Sequence, residues 1–275
     1  MRYIIYIFLA TIILSSCNLS KDIDINLPDY TPQPVVECYL IPGEPYRMLL
    51  TKSNSYFDPF NFDDPLKYFE SIVLHDATVM IIHEGDTIRL REEVRLDLAS
   101  RKLFNYVSDK IVPEEYGQPF ELKIITPEGK NIYGITQIPP PVPIDSVQLE
   151  FDKDEARELI YMTDDLSKEN YYRRMITRNT LDSLPEQDYV TDDKIFTTAK
   201  QAYGTGYDFK LGDIAINTHY HITRDYYLFA NSIRNTSSNP FTQPGIVRSN
   251  VTGDAKPLGI FTGFTFDRDT VKIVK

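Results

Sequence analysis

Val35-Val36-Glu37-Cys38-Tyr39-Leu40 and the run from Tyr46 to Lys52 are two short segments typical of β-strands. Between them lies Pro42-Gly43-Glu44-Pro45, in which proline presets φ and glycine accepts conformations that other residues avoid. The stretch 35–52 therefore predicts a β-hairpin. Short runs separated by turn residues recur after it, and this pattern indicates a mainly β protein built as a sandwich or barrel.

The later runs extend the prediction along the chain. They are Ala77 to Ile82, Thr87 to Leu90, Leu103 to Val107, Phe120 to Ile125, Ile132 to Ile138, Asp145 to Phe151, Leu159 to Met162, Tyr171 to Thr177, Tyr207 to Leu211, Ile214 to His221, Leu258 to Phe266 and Val271 to Val274. One helix is expected from Arg224 to Asn235, because Thr223 can cap it and Asp225 lies in its first turn. The segment from Ser53 to Tyr68 is expected to be a long loop.

The clearest boundary is Ile138-Pro139-Pro140-Pro141-Val142-Pro143. Consecutive prolines donate no backbone hydrogen bond and favour an extended, semi-rigid chain. We therefore expect two β-sandwich-like domains, an N-terminal one at 34–138 and a C-terminal one at 144–275 that carries the helix. Residues 139–143 form the junction between them.

The N-terminus has the form of an export signal. Arg2 precedes an apolar run from Tyr3 to Leu14, which is too short for a transmembrane helix. Leu14-Ser15-Ser16-Cys17 resembles the lipobox of bacterial lipoproteins. This resemblance implies a signal peptide at 1–16, acyl chains such as palmitate on Cys17, and a lipidated tether at 17–33 through which the protein is anchored to a membrane. The alternative is an ordinary signal peptide with an incidental cysteine.

Composition limits the classes of partner. The formal net charge is −11, from 40 acidic and 29 basic residues, which argues against nucleic acid and anionic lipid surfaces. With Cys17 lipidated, Cys38 has no partner for a disulfide within the chain, and its β run predicts a buried, inert thiol. Tryptophan, the commonest platform for sugar stacking, is absent, whereas 19 tyrosines are present.

Two kinds of metal-binding candidate are visible. His219 and His221 are two residues apart on an expected strand, so both rings lie on one face. Acidic segments at 58–64 and 152–155 offer oxygen ligands but lack the spacing of an EF-hand loop. We expect solvent-facing histidines and solvated acidic loops, and therefore no metal site and no cofactor.

Enzyme motifs are missing from the sequence. It contains no Gly-x-Ser-x-Gly, no His-Glu-x-x-His and no phosphate-binding glycine loop, and has four histidines in all. Asp164-Asp165 and Asp192-Asp193 are adjacent carboxylates whose side chains should point apart. Glycosidase carboxylates must face each other across a substrate, and their separation cannot be derived from sequence. We expect a protein that is not an enzyme.

Aromatic residues are concentrated in the segment 53–68. A partner-docking patch is one interpretation, because exposed aromatic side chains provide large contact areas. The alternative is that they fold back over an open end of the sandwich. The residues concerned are Tyr56, Phe57, Phe60, Phe62 and Tyr68.

Several spaced motifs together resemble the DUF4249 family of Bacteroidota lipoproteins. They are residues 35–43, Asp76-Ala77-Thr78-Val79, residues 138–147, Asn239-Pro240-Phe241, Ser249-Asn250-Val251 and Leu258-Gly259-Ile260-Phe261. The resemblance implies an outer-membrane lipoprotein encoded near a SusC-like TonB-dependent receptor, and it supplies no catalytic residues. The sequence departs from the family at 254–256, where a shorter, glycine-containing turn is more usual.

We therefore expect a non-catalytic outer-membrane lipoprotein that serves as an accessory or docking partner of a TonB-dependent receptor in uptake or export. Two alternatives stay open. One is a glycan-binding surface lipoprotein, and the other is a structural or adhesin-type lipoprotein. The oligomeric state and the face of the membrane that carries the protein do not follow from the sequence.

Overall fold

The computed structural model describes residues 30–54, 64–97, 102–194, 196–237 and 247–275, the side chains of 235–237 excepted. Two compact units divide the chain, residues 1–31 and 32–275, and of the first only Tyr30 and Thr31 are described. The predicted signal peptide, Cys17 and most of the tether lie outside the described residues. The second unit is mainly β, as predicted.

The second unit contains sixteen described strands. They are β1 Pro34–Leu40, β2 Pro45–Lys52, β3 Thr78–His83, β4 Asp86–Asp97, β5 Lys102–Ile111, β6 Pro119–Ile125, β7 Asn131–Gln137, β8 Ile144–Asp152, β9 Glu155–Thr163, β10 Tyr171–Arg178, β11 Gln187–Asp192, β12 Lys200–Gly204, β13 Phe209–Lys210, β14 Ile214–Ile222, β15 Val251–Gly253 and β16 Leu258–Lys272.

These strands form two sheets. Twelve follow the order β11-β10-β14-β16-β1-β2-β5-β4-β3-β6-β7-β15, and β8, β9, β12 and β13 form a second, four-stranded sheet. Pairing is antiparallel except between β1 and β16, which run parallel. Since the larger sheet contains strands from before and after the proline-rich segment, it runs through both halves of the chain.

The predicted hairpin at 35–52 is confirmed as β1 and β2. Val36, Cys38 and Leu40 point into one apolar core, which β2 joins through Met48 and Leu50. Strands β3, β4, β6 and β7 close this core from the other side, so the larger sheet folds back on itself here. The main contributors from those strands are Val79, Ile81, Ile88, Leu90, Phe120, Leu122, Ile124 and Ile132.

Strand β16 connects the two halves. Its residues 258–263 pair with β1, and residues 264–272 pair with β14. The prediction of two separate closing strands is therefore wrong, because a single long strand crosses both neighbours. Gly259 makes the crossing possible: its φ is +113°, and a Cβ there would lie 1.9 Å from the carbonyl oxygen of Val36. Only glycine fits this position without displacing β1.

The proline-rich segment 139–143 lies between β7 and β8, where the domain boundary was predicted. Residues on its two sides nevertheless belong to one compact unit. In the second half, the four-stranded sheet packs on β10 and β14 through a small apolar cluster that includes Ala156, Ile160, Ile176 and Ala215. We refer to residues 34–138 and 144–275 as the first and second halves.

Two helices are described, whereas only one was predicted. The expected helix is present as α2, Arg224–Ser237. The unexpected one is α1, Pro65–Ile72, which begins inside the segment predicted as a loop and continues past its end. The side chain of Asp64 caps α1 by accepting a hydrogen bond from Lys67 N at 3.1 Å, and Pro65 occupies its first turn. This aspartate-proline pair is the signal that the sequence prediction missed. Neither described helix is long and apolar enough to cross a membrane.

Candidate functional site

Most of the predicted docking residues cannot be placed. Outside the described residues lie Tyr56, Phe57, Phe60 and Phe62, most of the acidic segment 58–64, and Cys17. Tyr68 is described, and it lies half-buried on α1. No residue of α1 is fully buried, and the side chain of Leu66 is 74% exposed. The described end of the predicted docking segment is therefore a surface helix.

A large cavity in the described part of the protein, which we call the junction cleft, has a volume of about 860 Å³. One wall is formed by Pro139, Pro140 and residues 135–137, and the opposite wall by residues 168–171 and 221–225. The cleft thus lies where the two halves of the chain meet and where α2 begins. Its volume is in the range of sites that bind small ligands, about 300–1,000 Å³.

Charges of both signs line the junction cleft. Lys168 and Arg224 are basic, and Glu169 and Asp225 are acidic. The hydroxyl of Tyr171 donates to Glu169 at 2.8 Å, and this hydrogen bond lowers the pKa of the carboxyl. The formal charges of these four side chains therefore cancel.

His219 and His221 lie on one face of β14, as predicted, and both face the ring of Tyr172 at 4.8 and 5.2 Å between centroids. The prediction that they face solvent is wrong, since their exposed fractions are 2% and 7%. The reason is that β14 is an interior strand of the larger sheet and is covered on both faces. The ring of His221 lines the junction cleft, and its Nδ1 lies 2.6 Å from the carbonyl oxygen of Pro140.

Burial also sets the protonation of these histidines. It lowers the pKa of His219 to about 3, so the ring is neutral at physiological pH, and it lowers the pKa of His221 as well. Neither ring nitrogen of His219 has a hydrogen-bond partner among the described residues. No carboxylate or cysteine completes a metal-binding group with this pair within that part of the chain.

The adjacent carboxylates point apart, as expected. Asp164 is buried and Asp165 is exposed. Asp164 accepts hydrogen bonds from Gln201 Nε2 at 2.6 Å, from Asn170 Nδ2 at 2.8 Å and from the hydroxyl of Tyr172. The backbone N–H of Asn170 donates to Asp193 at 2.8 Å, so both buried aspartates belong to one network behind the junction cleft. A carboxylate held by as many fixed donors as Asp164 suits a structural role better than proton transfer.

A second cluster of buried polar residues was not predicted from the sequence. Glu158 on β9, Arg174 on β10 and Asn217 on β14 lie between the two sheets, and each is at most 2% exposed. Asn217 Nδ2 donates to Glu158 at 3.3 Å, and Arg174 donates to the hydroxyl of Tyr189 at 3.0 Å. Burial raises the pKa of Glu158 to about 7 and lowers that of Arg174. The available signal was the alternation Ala156-x-Glu158-x-Ile160, which places the carboxylate on the inward face.

A smaller cavity of about 180 Å³, the aromatic groove, lies on the other face of the larger sheet and also escaped prediction. Its lining is Tyr39, Ile41, Arg47, Lys102, Phe104, Arg173, Tyr220, Tyr226, Phe264 and Phe266. The ammonium of Lys102 lies 4.3 Å from the ring centroid of Tyr39, within the range of cation–π contacts. Aromatic rings beside cations form a surface on which a flat ligand ring can stack.

Cys38 behaves as predicted. It is free and fully buried, and burial raises the pKa of its thiol to about 12. The acidic segment 152–155 forms the turn between β8 and β9, where Asp154 pairs with Lys275 at 3.3 Å. Among the described residues, the group that could hold a metal is instead His83, Glu84 and Glu115, which the sequence did not indicate.

These features define a mainly β protein with a ligand-sized cleft between two halves of a shared sheet. The chain belongs to the DUF4249 family, a domain of unknown function, whose profile matches residues 20–270. This match confirms the family that the spaced motifs indicated. No curated protein matches the chain.

Proposed function

We propose that this protein is a non-catalytic, lipid-anchored outer-membrane lipoprotein that docks on a TonB-dependent receptor of the SusC-like kind and assists uptake or export. The anchor is the acylated Cys17 implied by the lipobox, and the receptor is the partner implied by the family resemblance. The carboxylate of Asp164, held by several donors behind the junction cleft, supports a role without catalysis. The observation that carries the proposal is the surface helix α1.

Helix α1 contains the end of the aromatic segment 53–68 and has one markedly apolar side. It buries none of its eight residues, although Leu66, Tyr68 and Phe69 are apolar or aromatic. A surface helix that keeps such side chains accessible provides an anchor for a hydrophobic groove on a partner. The lipid supports the same function, because two proteins confined to one membrane reach a high effective concentration and need only modest contact affinity.

The test is a crosslinked native pull-down of the tagged full-length lipoprotein from outer membranes. We expect one TonB-dependent receptor in stoichiometric amount, its loss in the Cys17→Ala form, and its depletion in Leu66→Glu. Leu184→Glu is the matched control, because Leu184 is 83% exposed and lies far from α1 in sequence. Equal recovery with Leu66→Glu and Leu184→Glu would remove α1 from the proposal, and recovery of no receptor would refute the partnership.

Glycan binding is the second candidate function, and the aromatic groove is the observation that favours it. The groove combines six aromatic rings with three cations but is smaller than the sites of drug-sized ligands, about 300–1,000 Å³. It therefore suits a single sugar ring. Binding on a glycan array that is lost in Tyr39→Ala and retained in Tyr133→Ala, a tyrosine that is 45% exposed elsewhere, would support this function.

A further inference from the structure

His83, Glu84 and Glu115 converge at one end of the first half. His83 ends β3, Glu84 follows it in the turn to β4, and Glu115 lies in the connection between β5 and β6. One ligand atom from each residue lies within 4.8 Å of the others. Because β3 pairs with both β4 and β6, the sheet itself brings the turn and the connection together.

The ring of His83 is held in one orientation. It is 7% exposed and stacks on Phe120, with 3.7 Å between the centroids and 4° between the planes. Its Nδ1 lies 3.0 Å from the carbonyl oxygen of Pro119. A carbonyl can only accept, so Nδ1 carries a proton and donates it. The metal-binding histidines of known sites are oriented by the same kind of hydrogen bond.

The other ring nitrogen faces a carboxylate. Nε2 of His83 lies 2.7 Å from Oε2 of Glu115. With Nδ1 protonated and the ring neutral, Nε2 presents a lone pair to a negatively charged oxygen, and that contact is repulsive. Either a proton shared between the two atoms or a metal ion bound to both removes this repulsion.

The carboxylate of Glu84 favours a bound metal ion over a proton as the group between His83 and Glu115. A proton on Nε2 balances Glu115 but leaves Glu84 uncompensated beside it. Among the described residues, neither glutamate forms an ion pair with a lysine or arginine. A divalent cation neutralises both carboxylates at once. Both glutamates are exposed, so the ion could enter from solvent.

We propose that His83, Glu84 and Glu115 bind a divalent metal ion of the zinc class through one imidazole nitrogen and two carboxylate oxygens. Imidazole favours zinc over calcium or magnesium, which prefer oxygen ligands alone. Tetrahedral bonds of about 2.1 Å require about 3.4 Å between ligand atoms, so Glu115 would move outward by less than about 1 Å. Three protein ligands leave a fourth position for water or for a donor from a partner.

The test is calorimetric titration of Zn²⁺ into the untagged full-length protein in detergent, after treatment with a chelator. We expect the wild type to bind one zinc ion per chain. The affinity for zinc should fall about tenfold or more in His83→Gln and in Glu115→Gln. Substitution with Co²⁺ provides a second readout, because tetrahedral coordination gives intense visible absorption bands. The exposed Glu84→Gln and Glu115→Gln variants should fold normally and lose these bands, which separates loss of the site from loss of the fold.

His75→Gln is the matched control. His75 also contacts a carboxylate, that of Glu92, but no described third ligand completes a metal-binding group there. Its zinc affinity should equal that of the wild type. Absence of zinc binding by the wild type, or equal affinity in wild type and His83→Gln, would overturn the proposal and leave His83 and Glu115 as a hydrogen-bonded pair.

Discussion

The two halves of the protein enclose interiors of opposite character. The interior of the first half is one apolar cluster built mainly from strands β1 to β7, which Val251 of β15 and Phe261 of β16 complete. In the second half, the inward positions of β9, β10 and β14 include Glu158, Arg174, Asn217 and His219, each at most 2% exposed. The same alternation of side chains thus buries mainly hydrocarbon in the first half, whereas in the second half it buries charged and polar side chains beside a smaller apolar cluster.

This difference determines how each half is stabilised. Apolar burial is non-directional and scales with area, so it tolerates imperfect geometry. A buried polar atom requires a partner, and Glu158 Oε2, Arg174 Nη2, Asn217 Oδ1 and both nitrogens of His219 have none among the described residues. We infer that stability depends on packing in the first half and on protonation in the second.

The largest effect is expected for Phe261→Ala. Phe261 lies on β16 but is fully buried in the apolar core of the first half. Truncation should lower the free energy of unfolding by about 3–5 kcal/mol, because it leaves a cavity in a close-packed core. Urea unfolding measures the change. Phe266→Ala, a change on the same strand at a residue 43% exposed, should cost about 1 kcal/mol or less and is the control. Similar losses in both variants would argue against a distinct first core.

Glu158→Gln should change the pH dependence of stability. The pKa of Glu158 is about 7 in the folded protein and near 4.5 when unfolded, so between these values the folded state binds more protons. Stability should therefore fall as pH rises from 4.5 to 7, by about 3 kcal/mol in total. Glutamine does not titrate, so the difference in unfolding free energy between wild type and variant should change by this amount between pH 4.5 and 8. A constant difference would show that Glu158 does not titrate in this range.

Tyr106→Phe tests a buried polar group that is satisfied in the first half. The hydroxyl donates to the carbonyl oxygen of Leu74 and accepts from the N–H of Ala77, both at 3.0 Å. Its removal leaves both backbone groups without this hydrogen-bond partner. The free energy of unfolding should fall by about 1–2 kcal/mol, independent of pH between 5 and 8. Chemical unfolding at the two ends of this range checks both statements, and a pH-dependent loss would contradict the contrast between the halves.

Thr177→Val should have the smallest effect. Thr177 on β10 is 1% exposed, and its hydroxyl has no hydrogen-bond partner within the described chain. Replacing an unsatisfied hydroxyl with a methyl group of similar shape should leave the free energy of unfolding unchanged or raise it by about 0.5 kcal/mol. The midpoint of thermal unfolding measures the change. A clear loss of stability would mean that the hydroxyl is satisfied by water in solution.

Local patterns were enough to predict much of the sheet. The hairpin at 35–52, most strands of the first half and helix α2 follow from turn residues, apolar runs and a helix cap. Strands β11, β12 and β15 were not predicted, because their sequences are polar or very short. The pairing partners of β12 and β15 are also distant in the chain. Helix α1 was missed because the aromatic and acidic residues around it obscured its aspartate cap.

The sequence by itself determined the mainly β fold, the family, the burial of Cys38 and the placement of His219 and His221 on one face. Each of these depends on short runs of residues close together in the chain. Only the tertiary structure decided that β14 is covered on both faces, that β16 joins the halves, and that His83 meets Glu115. Those outcomes depend on the pairing of strands that are far apart in the sequence. Short-range sequence patterns do not encode this pairing. The buried charges and the proposed metal site both arise from such long-range pairings.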